Sequence, residues 1–151
     1  MSHPTPFPDV NEIVRDLRAR ITAILGDHVI GMYLDGSLAL GDFDDASDID
    51  FIVLTDHEIR DTEFEALHEM HAQITAGPSR WADQLEGSYV SAPAWRRFDP
   101  ANALHPNIER GPAEKLKMLE HSAVWPRQLE RLRRCAEVRR HRLRRELHRR
   151  R

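Results

Sequence analysis

The sequence predicts an α+β (α/β) fold, in which a small mixed β-sheet is flanked by helices and followed by a basic C-terminal tail. Three observations predict it. Two segments carry apolar residues at helical spacing, three shorter segments are rich in apolar, β-branched and aromatic residues, and their order is helix–strand–strand–helix–strand. The 151 residues are enough for one domain of ordinary size with a buried core.

The first predicted helix spans residues 10–25, after an extended, proline-rich leader at residues 1–8. Asp9 and Glu12 resemble a capping pair at the start of this helix. Gly26 ends the helical pattern, because glycine favours the backbone conformation that follows a last helical turn.

Two strands, a second helix and a third strand follow. The apolar patterns predict strands at residues 28–34 and 49–54, and the second strand is expected to be buried because it is apolar and β-branched throughout. Residues 57–75 predict the second helix and residues 82–90 the third strand.

The last third of the body has weaker patterns. Residues 91–111 are rich in proline and alanine and predict irregular structure. A further helix is expected to begin at Pro112, since proline is favourable at a first helical position, and to carry Leu116 and Leu119 on one face.

Charge divides the chain into two parts. Residues 1–120 hold 22 Asp and Glu against 10 Lys and Arg, a net charge of −12, whereas residues 121–151 hold 12 Arg against 3 Glu, a net charge of +9. We therefore predict a domain at residues 9–121 and an Arg-rich tail, helical or disordered, at residues 122–151. An acidic body repels phosphate, so nucleic-acid binding is expected only through the tail.

The composition also predicts the compartment. The longest apolar run is about six residues, far below the roughly 20 that span a bilayer, and no secretory signal is recognisable at the N-terminus. The single cysteine, Cys135, suits a reducing environment. These features predict a cytoplasmic protein without a membrane segment.

The pattern that indicates chemistry is Gly36-Ser37, a ten-residue connection, and Asp48-Ile49-Asp50. Because strand side chains alternate, both aspartates are expected on one side of the strand, where carboxylates can hold Mg²⁺ together. Gly36 lets backbone N–H groups approach an anion, and the Ser37 hydroxyl is a further donor at the start of a short helix. A phosphate cradle beside a carboxylate metal site is suited to nucleoside triphosphates.

A third carboxylate is expected on a neighbouring strand. Glu86 is the first candidate, either as a ligand of a second metal ion or as the base that takes a proton from an acceptor hydroxyl, and Asp83 is the reserve. His68 and His71 share a helix face without a third ligand, so we assign them packing roles, and His105 is expected to lie in a loop.

The Gly-Ser, spacer and acid–apolar–acid pattern resembles that of the polymerase-β-like nucleotidyltransferase superfamily. Within it, the chain most resembles the streptomycin/spectinomycin adenylyltransferases that confer antibiotic resistance, through residues 85–90 and the segments around His105-Pro106 and Arg110-Gly111. This resemblance implies an enzyme of the EC 2.7.7 type that transfers AMP from ATP to an aminoglycoside hydroxyl and releases pyrophosphate.

The resemblance also implies residue roles. Ser37, beside Gly36, would hold the triphosphate, while Asp48 and Asp50 would bind two Mg²⁺ ions and ATP. Glu86 would be the catalytic base and a further metal ligand.

Relatives of this type continue into a helical C-terminal domain, and the Arg-rich residues 122–151 stand in its place. We therefore expect a truncated or frame-shifted C-terminus. Two alternatives follow for a chain of this length: a minimal nucleotidyltransferase antitoxin that modifies a partner protein, or an inactive remnant that binds nucleotide. A third alternative is RNA binding by the tail.

Overall fold

The computed structural model describes four ranges of the chain, residues 7–35, 48–96, 104–109 and 116–120. The elements in chain order are α1 (Pro8–Leu25), a 3₁₀ turn (Gly26–His28), β1 (Val29–Asp35), β2 (Ile49–Thr55), α2 (Asp61–Thr75), β3 (Leu85–Ser91), α3 (Ala92–Arg96), β4 (Leu104–Ile108) and β5 (Lys117–Glu120). Among the described residues, no helix has the length and apolar character needed to cross a membrane.

The described strands form one mixed sheet in the order β1-β2-β3-β4-β5. β2 and β3 are parallel, and the other neighbours are antiparallel. Parallel neighbours need a crossover connection, and α2 supplies it between β2 and β3. The predicted mixed sheet with flanking helices is therefore confirmed.

The core lies on one face of the sheet. Along β2 the side chains alternate between buried and half-buried, so that Ile49, Phe51 and Val53 belong to the apolar cluster. The helices contribute further buried side chains to this cluster, among them Val10, Leu17, Ile21, Leu67, Met70 and Ile74. The half-buried positions of β2, including Asp50, therefore lie on the opposite face.

The start of α1 differs from the prediction. Phe7 precedes the helix and Pro8 occupies its first turn, so Asp9 lies inside the helix rather than capping it with Glu12. Proline suits this position because its missing N–H would have no helical partner there. The Asp9 carboxylate instead accepts a hydrogen bond from Trp81 Nε1 at 2.9 Å, and this bond lowers the pKa of Asp9.

The structure corrects the predictions for the last third of the body. Residues 91–111 contain α3 and β4 where irregular structure was expected, and Leu119 belongs to β5 rather than to a helix. Leu116 precedes that strand and is buried. β4 and β5 are short and pair with each other from Leu104 opposite Glu120 to Asn107 opposite Lys117. Pairing within the sheet therefore overrides their weak local patterns.

Other element boundaries shift by a few residues. A turn occupies the start of the predicted strand at 82–90, and α2 begins at Asp61 rather than at residue 57. The predicted leader at residues 1–8 ends earlier than expected, because Pro8 begins α1. The described residues do not include residues 1–6, Gly36, Ser37, Pro112 or the tail at 122–151 with Cys135.

Candidate functional site

Three carboxylates are positioned by the parallel pairing of β2 and β3. Asp50 stands directly opposite Glu86 in the register of the two strands. Asp48 comes immediately before β2. The Ile49 N–H donates to the carbonyl oxygen of Gln84 at 2.8 Å, and this hydrogen bond joins the starts of β2 and β3. Because parallel strands begin at the same edge of a sheet, these acidic residues share that edge.

The structure brings Asp48, Asp50 and Glu86 together. Each is half-buried, and each offers a carboxylate oxygen that lies within 4.8 Å of the other two. Three carboxylates at this spacing repel one another, and a bound dication reverses that repulsion. Oxygen ligands in an octahedral Mg²⁺ shell are about 3 to 4 Å apart, so small side-chain rotations suffice to fit the ion. The donor set therefore suits one or two Mg²⁺ ions.

Gly87 supports this arrangement from the core side. A Cβ atom at this position would lie 2.5 Å from Cε1 and Cζ of Phe51. The absence of a side chain lets the Phe51 ring of β2 pack directly against β3, beside Glu86. No role was assigned to Gly87 from the sequence, although a glycine inside a predicted strand indicates a close approach of this kind.

A polar group continues along the same face of the sheet. Ser88 follows Glu86 by two residues, and its Oγ accepts a hydrogen bond from Asn107 Nδ2 at 2.9 Å and lies 3.1 Å from His105 Nε2. His105 belongs to β4 and is buried, so the prediction of a loop histidine is wrong. Ser88 and Asn107 were not identified from the sequence, although strand alternation aligns Ser88 with Glu86.

The remaining predicted residues have the following positions. Asp83 lies in the turn before β3 and accepts a hydrogen bond from Gln84 Nε2 at 3.0 Å, so the structure does not group it with the three clustered carboxylates. β1 ends at Asp35, opposite Asp50. Gly36 and Ser37 follow Asp35 in the sequence and lie outside the described residues.

The two histidines of α2, His68 and His71, pack against aromatic side chains. His71 is buried, its Nε2 lies 2.7 Å from the Tyr89 hydroxyl, and its ring stacks on Phe51. Burial lowers the pKa of His71 to about 4, so the ring is neutral at pH 7. His68 stacks on Phe64. Within the described part of the chain, neither histidine belongs to a group of metal-ligating side chains.

Comparison with known proteins adds one finding. The family model described as "Nucleotidyltransferase domain" matches residues 10–90, a stretch that contains Asp48, Asp50 and Glu86. No curated protein matches the chain significantly.

Proposed function

This chain belongs to the nucleotidyltransferase domain family, and from that premise we propose that it is a Mg²⁺-dependent adenylyltransferase that transfers AMP from ATP to a hydroxyl of an aminoglycoside. The observation that carries the proposal is the convergence of Asp48, Asp50 and Glu86 within 4.8 Å. Nucleotidyl transfer requires a group of oxygen ligands of this kind, because the reacting triphosphate is highly charged.

Each clustered carboxylate has a role in the proposed reaction. Asp48 and Asp50 hold Mg²⁺, and Glu86 takes the proton from the acceptor hydroxyl and shares a second ion. When bound, the ions neutralise the triphosphate and favour departure of pyrophosphate. The acceptor oxygen bonds to the α-phosphorus of ATP as the bond from that phosphorus to the bridging oxygen breaks. The electron pair of the broken bond leaves with pyrophosphate.

Gly36 and Ser37 are assigned to the triphosphate. The strand register supports this assignment, because β1 ends at Asp35 directly opposite Asp50 and Gly36 is the next residue. A glycine followed by a serine supplies accessible backbone N–H groups and one hydroxyl donor, which suit phosphate oxygens.

An aminoglycoside is assigned as the acceptor for two reasons. Residues 1–120 carry a net charge of −12, which attracts a polycationic acceptor. The polar group of Ser88, Asn107 and His105 lies on the same face as Glu86 and offers hydrogen-bonding partners for sugar hydroxyls. The resemblance of residues 85–90 to the streptomycin/spectinomycin adenylyltransferases agrees with both.

The proposal is tested with the full chain, Mg²⁺, ATP labelled at the α-phosphate, and streptomycin or spectinomycin. We expect labelled AMP on the antibiotic, seen by mass spectrometry, and one pyrophosphate released per adduct. Asp83→Asn is the matched control for Asp50→Asn, because it makes the same change of charge outside the carboxylate cluster. Loss of transfer in Asp83→Asn with full activity in Asp50→Asn would contradict the residue assignment.

The same assay separates the chemistry from the acceptor. Label on a protein band with none on an antibiotic would overturn the aminoglycoside and favour a partner protein as acceptor. Pyrophosphate release with no acceptor labelled would indicate hydrolysis. If ATP yields neither a labelled acceptor nor pyrophosphate, nucleotidyl transfer from ATP is overturned.

A further inference from the structure

A second group of metal-ligating side chains lies at the opposite end of β2 from the acidic cluster. Asp56 and His57 follow the last residue of this strand, and His28 precedes the first residue of β1. The antiparallel pairing of Val29 with Thr55 brings these segments together, and the Asp56 N–H donates to the His28 carbonyl oxygen at 3.0 Å. Asp56 follows Asp50 by six residues, a distance of about 20 Å along an extended strand.

The ligand atoms of this group converge on the Asp56 carboxylate. His28 Nδ1 lies 3.0 Å from Asp56 Oδ1, and His57 Nδ1 lies 2.6 Å from the same oxygen. The two imidazole rings meet edge to face, with their centroids 4.3 Å apart. Two imidazole nitrogens and one carboxylate oxygen therefore lie within 4.8 Å of one another.

Glu63 orients one of the two imidazoles. Its Oε1 lies 2.8 Å from His57 Nε2 and also accepts the backbone N–H of Arg60 at 2.9 Å, at the start of α2. A carboxylate on the far nitrogen of a histidine fixes the ring and the tautomer, which directs the lone pair of the other nitrogen toward a metal. The Glu63 side chain is only 14% exposed, so it is held in place while the ligands remain accessible.

The donor set selects the class of metal. Imidazole nitrogen with one carboxylate suits Zn²⁺, whereas Mg²⁺ prefers oxygen ligands alone. A tetrahedral Zn²⁺ shell with bonds of about 2.1 Å separates its ligand atoms by about 3.4 Å. The two nitrogen–oxygen separations, 3.0 Å and 2.6 Å, must widen by less than about 1 Å to fit this shell. The side chains of His28 and Asp56 are 46% and 49% exposed and have room to adjust.

We propose that His28, Asp56 and His57 bind one Zn²⁺ ion, with Glu63 as the positioning residue for His57. Three protein ligands leave one coordination position for water. The bound ion ties the start of β1, the end of β2 and the segment before α2 together. The site is separate from the acidic cluster, and Zn²⁺ binding here does not require nucleotidyl transfer.

The test titrates the full, metal-free chain with Zn²⁺ in competition with a chromophoric chelator. We expect one site with a Kd below about 1 µM, weakened at least about 100-fold in His28→Ala and in Asp56→Asn. His68→Ala on α2, Cys135→Ser and Asp48→Asn are the controls, and each should retain the tight site. Far-UV circular dichroism of each metal-free variant checks that it is folded.

Glu63→Gln tests whether Glu63 positions His57, because this variant keeps all three proposed Zn²⁺ ligands. The amide still accepts the Arg60 N–H, so the start of α2 is preserved, while Zn²⁺ affinity should fall about 10- to 100-fold. Replacement by Co²⁺ should give the visible absorption of a tetrahedral site in the wild type and not in His28→Ala. Unchanged Zn²⁺ affinity in His28→Ala and Asp56→Asn, or no binding tighter than about 100 µM in the wild type, would overturn the proposal.

Discussion

The two faces of β2 differ in what surrounds them and in what they carry. On the core face, Ile49, Phe51 and Val53 are at most 1% exposed and pack under the helices. On the other face, Asp50 is half-buried and lies with Asp48 and Glu86 in a group of carboxylates. A single strand thus belongs to the apolar core through one set of side chains and to the candidate site through the other.

This difference indicates that stability and chemistry are largely separable in β2. Alternation of side chains places adjacent residues in different environments, so substitutions at neighbouring positions should affect different properties of the protein. A change on the polar face should reduce catalysis and leave unfolding unchanged, whereas a change on the core face should reduce the free energy of unfolding.

The largest effect is expected on the polar face. Asp50→Asn removes one of the clustered charges without changing the size of the side chain, and should lower kcat/KM for AMP transfer by about 10³-fold. Steady-state pyrophosphate release measures this loss, and thermal unfolding should be nearly unchanged. Asp16→Asn, an exposed aspartate paired with Arg20 on α1, is the control and should leave both unaltered. Near-wild-type activity in Asp50→Asn would show that the metal assignment is wrong.

The next effect is expected on the core face. Phe51 is 1% exposed, stacks on His71 and meets Tyr89 edge to face. Phe51→Ala removes these contacts and should lower the free energy of unfolding by about 3 to 5 kcal/mol, measured by urea denaturation. Ile30→Ala, on a side chain that is 52% exposed, should cost far less. Equal losses in the two variants would contradict the difference between the faces.

The buried histidine beneath Phe51 predicts a pH dependence of stability. The pKa of His71 is lowered from 6.5 to about 4 in the folded chain because burial disfavours the charged ring. Between these values the unfolded chain binds a proton that the folded chain does not, so stability falls by about 3 kcal/mol as pH drops from 6.5 to 4.

Comparison with a variant isolates this contribution from the titration of carboxylates. The double variant His71→Leu/Tyr89→Phe removes both members of the buried pair, so its stability should decline less over the same pH range. Parallel urea denaturation curves at several pH values measure the difference. An identical decline in the two proteins would mean that His71 is not the group responsible.

The smallest effect is expected at Gly87, which lies against Phe51 on the core face and is adjacent to Glu86 on the polar face. Gly87→Ala would place a methyl group 2.5 Å from the Phe51 ring and should cost about 1 to 3 kcal/mol of stability through overpacking. Because Glu86 is the adjacent residue, AMP transfer should fall as well. Phe51→Leu should partly restore the Gly87→Ala variant, and a double-mutant cycle measures the coupling. Additive losses would show that the two side chains do not meet.

Local patterns were sufficient for part of this structure. The same-side placement of Asp48 and Asp50 follows from strand alternation, and the helical spacing of apolar residues predicted α1 and most of α2. Glu86 is different, because it lies 36 residues after Asp50 and its register depends on how α2 returns the chain to the sheet. The sequence indicated that a third carboxylate should lie on a neighbouring strand, with Glu86 as first candidate and Asp83 as reserve, but local patterns could not give the register that places Glu86 opposite Asp50.

The sheet beyond β3 could not be predicted from local patterns. β4 contains Pro106 and spans only five residues, so its stability comes from pairing with β3 and β5 rather than from its own pattern. The group of His28, Asp56 and His57 was also missed. His28 lies 28 residues before Asp56 in the sequence, and the register of β1 against β2 brings it to the adjacent Asp56 and His57.

The most direct test of the central claim is a crystal structure of the chain with Mg²⁺ and a non-hydrolysable ATP analogue. We expect metal density between the carboxylates of Asp48, Asp50 and Glu86, with metal–oxygen distances of about 2.1 Å and triphosphate oxygens completing the shell. A nucleotide bound elsewhere, or carboxylates that contact no metal while ATP is bound, would contradict it.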